Sequence, residues 1–148
     1  MEIKDILSPD CTSCAVQGTS KKRILEIISQ VAAERIAGVD QTAILTSLLA
    51  REKMGSTGIG NGIALPHGRL QGLEKVISIL ITCKPSIAFD AIDNNPVDIF
   101  FAILVPEDQA QGHLQTLATI ATKLSDKEVE KIMRKAESDE QLYAAIVS

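Results

Sequence analysis

A chain of 148 residues, 45% hydrophobic and 23% charged, has the length and composition of one soluble globular domain with a proper core. Its net charge of −4 and its four aromatic residues (Phe89, Phe100, Phe101 and Tyr143) exclude a nucleic-acid surface, which needs clustered Lys and Arg and rings for stacking. The N-terminus has no signal-peptide apolar core, and the longest apolar stretch, residues 99–106, is too short to cross a bilayer, so a cytoplasmic protein without membrane insertion is expected.

Residues 1–18 read as a lead-in with one edge strand around residues 14–17. Cys11 and Cys14 form a Cys-x-x-Cys pair, but three cysteines are an odd number. A thioredoxin-type pair opens a helix directly after a strand, and a zinc site would have to recruit Cys83 and a histidine from far along the chain. The pair is therefore read as incidental. Ser20 is placed as the N-cap of a helix with Ile24, Ile27, Ile28, Val31 and Ile36 on one face and Gly38 at its end. Lys21, Lys22 and Arg23 fall in its first turn, where the macrodipole disfavours cations. They are either a solvated helix start or a small basic spot for a partner. Asp40 caps a second helix, with Ala43, Ile44, Leu45, Leu48 and Leu49 as its stripe and an end near Met54. Arg51, in the last turn, has two readings. It is a cation stabilising a helix C-terminus by under ~1 kcal/mol, or a planar donor fork for a phosphoryl group.

The glycines then crowd together: four of nine (Gly55, Gly58, Gly60 and Gly62) fall within eight residues, followed by a short apolar strand, Pro66 and His67. Glycine lets backbone amides approach a ligand, and a histidine beside such a loop suits chemistry on a phosphoryl group or another anion. Two nucleotide motifs are excluded. No Gly-Lys-Ser/Thr follows, as a Walker A loop requires, and the glycines lie between a helix and a strand, the reverse of the dinucleotide order.

Residues 68–75 read as a turn, 76–82 as a buried strand, and 87–89 as a short strand before a turn at 93–96. Residues 97–105 carry the strongest strand pattern and are placed centrally, with Asp98 at a sheet edge or on a neighbouring amide. Pro106 ends that strand. A helix carrying Leu114, Leu117, Ala118, Ala121 and Leu124 follows, with His113 in its first turn, either a surface residue or part of an anion site. Capping boxes Ser125-x-x-Glu128 and Ser138-x-x-Gln141 start two more helices. Strands interleaved with helices predict an α/β sheet covered on both faces. Neither His67 nor His113 has a carboxylate or cysteine at ligand spacing, so no metal is expected.

Arg51-Glu-x-x-Gly-Ser-Thr-Gly-Ile-Gly-x-Gly-Ile-Ala-Leu-Pro-His67, with His-Leu-x-x-Leu from His113, resembles the enzyme IIA domain of the fructose/mannitol class of the bacterial phosphotransferase system. The likeness is closest to the stand-alone nitrogen-regulatory enzyme IIA. Residues 87–98 and 104–109 extend it over nearly the whole chain. It implies one domain, residues 1–148, with a mixed, mainly parallel β-sheet and helices on both sides. It further implies that His67 is phosphorylated and that His113 and Arg51 stabilise the phosphoryl group. Backbone amides of the loop (Gly55, Ser56, Thr57, Gly58, Gly60, Gly62) and the hydroxyls of Ser56 and Thr57 are candidates to help, without metal or cofactor. The phosphoryl donor would be an HPr-type carrier, charged by enzyme I from phosphoenolpyruvate. A carrier has to reach the histidine, so an apolar rim is expected, with Ile59 and Leu65 as candidates. Two functions follow. One is a regulator of nitrogen metabolism and potassium homeostasis that binds targets such as potassium-transport or sensor-kinase proteins. The other is a component passing phosphate to a separate sugar-specific IIB. No IIB or membrane IIC segment is present in the sequence, which favours the regulator. A redox role for Cys11 and Cys14 stands behind both.

Overall fold

The most apolar stretch of the chain becomes the middle of the sheet. Strand β6 (Val97–Pro106) is buried at every position except Asp98. Successive residues of a strand face opposite sides, so this pattern requires cover on both faces. The computed structural model describes residues 2–108 and 114–148. Within them lie β1 (Thr12–Val16), α1 (Lys21–Arg35), α2 (Gln41–Lys53), β2 (Gly58–Gly60), β3 (Ile63–Ala64), β4 (His67–Leu70), β5 (Ile77–Ile87), β6, α3 (Leu114–Leu124), α4 (Lys127–Lys135) and α5 (Asp139–Val147). The strand order is β1-β5-β6-β3-β2, and β4 also pairs with β6. β5 runs antiparallel to β6, whereas β1 runs parallel to β5, and β3 and β4 lie end to end parallel to β6. Three of the five pairings are thus parallel, giving the mixed, mainly parallel sheet that was expected.

The helix starts follow their caps. The Ser20 hydroxyl accepts from the Arg23 amide at 3.1 Å, and the Asp40 carboxylate accepts from Ala43 at 2.9 Å. Ser138 accepts from the Gln141 amide at 3.1 Å, while the Gln141 side chain turns to the amide of Glu137. The box at Ser125 is a correction. Ser125 Oγ donates back to Ala121 O, and Asp126 is the cap, accepting from Glu128 and Val129. The α2 stripe also turns out narrower than expected. Its buried residues are Ile44, Leu48 and Glu52, spaced by four, while Ala43 is exposed.

Two strand expectations change. β5 fuses the two short strands expected at 76–82 and 87–89, continuing through a register shift between Thr82 and Ile87. The turn expected from residue 68 is instead strand β4, in register from His67 opposite Ile103 to Leu70 opposite Pro106. Gly68 makes this possible. A Cβ there would lie 2.2 Å from Ser47 Oγ, which donates to Arg69 O at 2.7 Å. Helix α2 is therefore seated directly on β4. Among the described residues no helix is long and apolar enough to cross a membrane.

Candidate functional site

The seating of α2 on β4 brings the last turn of one to the first residue of the other. Arg51 Nε donates to His67 Nε2 at 3.2 Å, and Arg51 Nη1 donates to Gly55 O at 2.8 Å. On the other side of the ring, His67 Nδ1 lies 2.8 Å from Leu65 O. A carbonyl oxygen only accepts, so Nδ1 carries the proton and Nε2 keeps its lone pair. The imidazole is half-buried. The result is a neutral ring with its tautomer set by the backbone and its free nitrogen turned to a guanidinium.

The glycine segment is held from beneath by a carboxylate that the sequence reading passed over. Glu52 is 8% exposed, and it accepts from the Thr57 amide at 3.1 and 3.3 Å and from the Thr57 hydroxyl. Lys21 Nζ pairs with it at 2.8 Å and sits 4.6 Å from the centroid of the buried Phe89 ring. The Lys21 ammonium is therefore neither a solvated helix start nor a free basic spot. Ser56 Oγ donates to Phe89 O at 2.8 Å and accepts from the Gly58 amide at 3.0 Å.

A second cluster grips the far end of the segment. Arg134 Nη2 donates to Asn61 O at 2.6 Å, its Nε donates to Asp98 at 2.9 Å, and its Nη1 donates to Glu130 at 3.2 Å. Burial works against the Arg134 charge, but Asp98 and Glu130 outweigh it and hold its pKa above the ordinary value. Gly62 has φ +79, and a Cβ there would sit 2.6 Å from Arg134 Nη2, so any other residue is strained there and displaces the guanidinium. Asp93 closes the turn by accepting from the Asn61 amide at 3.0 Å.

The expected site residues thus divide. His67 and Arg51 come together. His113 lies outside the described residues. Of the loop groups expected to cradle an anion, the amides of Gly55, Thr57 and Gly58 and the hydroxyls of Ser56 and Thr57 already have partners within the protein. Gly60 and Gly62 shape the hairpin, with φ +99 and +79. Leu65 is only 6% exposed and serves the imidazole through its carbonyl, so it does not belong to a rim. Exposed apolar surface around the glycine segment comes from Ile59 (41%), together with Met54 (83%) and Ile92 (82%). The Cys-x-x-Cys pair holds free thiols. Burial pushes the Cys11 thiol up, opposite to an activated redox cysteine, and the Cys14 Sγ donates to Ala136 O at 3.2 Å. Among the described residues no three His, Cys, Asp or Glu side chains gather where a metal ion would fit.

The chain is thus an α/β protein whose mixed sheet presents one tautomer-fixed histidine against one arginine, at the end of a glycine hairpin. Residues 5–148 match the family described as "Phosphoenolpyruvate-dependent sugar phosphotransferase system, EIIA 2", and the chain belongs to it. Over 147 residues it is 47% identical to a nitrogen regulatory protein of Klebsiella oxytoca, covering 99% of this chain and 90% of that one. Its fold is similar to the nitrogen regulatory protein IIA-Ntr of Neisseria meningitidis, at TM-score 0.89 and 33% identity, over 97% of this chain and 98% of the other. It is also similar in fold to the mannitol enzyme IIA of Escherichia coli, solved in complex with phosphorylated enzyme IIB (TM-score 0.74, 14% identity, 95% and 98% covered).

Proposed function

We propose that this chain is a nitrogen-regulatory phosphocarrier that accepts a phosphoryl group on His67 Nε2 from an HPr-type carrier. The observation that carries this is the pair of contacts on the imidazole: Nδ1–H to Leu65 O at 2.8 Å and Arg51 Nε to Nε2 at 3.2 Å. In the transfer, the Nε2 lone pair attacks phosphorus and the N–P bond of the donor phosphohistidine breaks. The electron pair returns to the donor's ring nitrogen, and no proton has to leave His67. The transition state is loose, with charge spread over three oxygens, so the protein has mainly to position the group and offset its charge. Arg51 lies where those oxygens arrive. We assign His113 to the same task, as the family resemblance implies.

Phosphorylation adds roughly −1.5 to −2 charges at pH 7. At His67 that charge makes an apolar contact costly, so the unphosphorylated form is the tighter binder of apolar regulatory targets. We place such targets in nitrogen metabolism and potassium homeostasis, with potassium-transport and sensor-kinase proteins as candidates, and the circuit in the cytoplasm. Similarity to nitrogen regulatory proteins at 47% identity, against 30% to a fructose-specific EIIA component, favours this over passage to a sugar-specific IIB.

The test is the intact mass of wild type and His67→Ala after incubation with phosphoenolpyruvate, enzyme I and the carrier. One acid-labile phosphoryl group on wild type and none on the variant is expected. Labelling that survives in His67→Ala would move the site elsewhere.

A further inference from the structure

We infer that Glu52 is a positioning residue for His67, acting through Thr57 and Leu65, with Lys21 as its counter-charge. This deepens the proposed phosphoryl transfer and rests on it. The contacts form one continuous path. The Glu52 carboxylate takes both the amide and the hydroxyl of Thr57. Thr57 O accepts from the Leu65 amide at 2.9 Å. Leu65 O accepts from His67 Nδ1 at 2.8 Å. The carbonyl that decides the tautomer is thus held by a residue whose own two polar backbone contacts are fixed at both ends.

The location of the charge argues for a role in the site. A carboxylate with its side chain 5% exposed is costly to bury unless it is paired and hydrogen-bonded, and this one is held by Lys21 and by both donors of Thr57. Lys21 occupies the first turn of α1, where the helix dipole opposes a cation, yet it reaches Glu52 at 2.8 Å and lies over the Phe89 ring. The consequence falls on the next residue. With Glu52 neutralised by Lys21, Arg51 is left with Gly55 O and His67 Nε2 as its partners, and among the described residues it makes no ion pair. Its charge therefore stays available to an incoming phosphoryl group. Glu52 fixes the proton on one ring nitrogen, and its pairing with Lys21 leaves Arg51 free at the other.

The experiment uses the full chain labelled with 15N-histidine. The chain has two histidines, so the spectrum holds two rings, told apart with a His67→Ala sample. In wild type, ring 15N shifts should report the Nδ1–H form of His67. Glu52→Gln should shift that ring toward a tautomer mixture and slow phosphorylation by the carrier about ten- to a hundredfold in kcat, a misplacement effect, with KM for the carrier unchanged. Thr57→Val removes only the hydroxyl and should give a smaller change in the same direction, and Thr57→Ser should restore wild-type shifts. Folded Glu52→Gln with wild-type ring shifts and rate overturns the inference. Should Glu52→Gln not fold, Thr57→Val decides, and unchanged His67 shifts there overturn it too. The wild-type spectrum does not depend on phosphorylation. Wild type that shows the tautomer but takes no label therefore fails the proposed function and leaves the imidazole result standing.

Discussion

Two charged clusters hold the glycine segment, one at each end, and they are built for different surroundings. On the His67 side, Lys21 and Glu52 are 25% and 5% exposed and lie against the Phe89 ring. On the hairpin side, Arg134 and Asp98 are 35% and 28% exposed, Glu130 beside them is 4% exposed, and Arg134 binds the carbonyl of Asn61. The first cluster ends on His67, the proposed phosphoryl acceptor, while the second ends on a turn. Low exposure strengthens every electrostatic contact and raises the cost of leaving one unmade. Each cluster thus rests on one buried carboxylate, and the drier of the two cations is the one on the His67 side. The more hydrated clamp suffices where only the position of a loop is at stake.

The largest effect in this contrast is expected when the drier pair is broken. Lys21→Met leaves the Glu52 carboxylate buried and uncompensated, a change worth about 3–5 kcal/mol. Urea unfolding should show it as a lowered midpoint, and Lys21→Met combined with Glu52→Gln should recover much of the loss. A midpoint shift no greater than a surface mutation gives would mean that water reaches Glu52. Arg134→Met should cost somewhat less, about 2–3 kcal/mol, because water screens Asp98 and Lys127 still faces the buried Glu130 carboxylate that is left behind. It should also leave the His67 ring shifts unchanged, which Lys21→Met should not. If the two substitutions perturbed the ring alike, the division between the clusters would collapse.

Gly68→Ala comes next, and it strikes neither cluster. A methyl 2.2 Å from Ser47 Oγ has to push α2 off β4, an overpacking cost of about 1–3 kcal/mol. Because Arg51 and His67 are carried on those two elements, the phosphorylation rate should drop along with stability. A fall in stability without a fall in rate would show that the Arg51–His67 contact tolerates the shift.

How much of this was legible beforehand depends on how local each cause is. The caps at Ser20, Asp40 and Ser138 act within three residues, and they read correctly. Ser125 misled because the adjacent Asp126 offers a better acceptor to the same amides. The β6 strand announces itself through nearly unbroken apolar content. Strand β4 does not, since its four residues are extended by pairing with a partner more than thirty positions away. His67 and Arg51 stood out as residue types beside glycines. Glu52 was hidden because a charged residue is counted as outward-facing, even though it continues the Ile44–Leu48 spacing on the buried face. The role of Leu65 could not be seen either, because it lies in a backbone carbonyl.

The smallest expected effect concerns Asn61, which Arg134 holds by its carbonyl and Asp93 by its amide. Its backbone sits at φ 59, a left-handed conformation that costs a non-glycine residue roughly 1 kcal/mol and needs outside support. Arg134 supports it through the carbonyl and stays charged at any accessible pH. Asp93 supports it through the amide, and that hydrogen bond, followed by those from Asn95, holds the Asp93 carboxyl below its ordinary pKa. A lowered folded-state pKa stabilises above the unfolded value, and the contribution fades as pH falls toward and through the folded one. The turn should therefore be fully held at neutral pH and begin to loosen below about pH 4, the ordinary range of an aspartate. Following the Asn61 amide shift and its exchange rate through an acid titration reads this directly. The Arg134 cluster holds carboxylates too, so the informative comparison is with Asp93→Asn, which should begin with a more mobile Asn61 amide and lose the Asp93-dependent step. An unchanged step in that variant would assign the acid response to the Arg134 cluster, reversing which side of the turn is the titratable one.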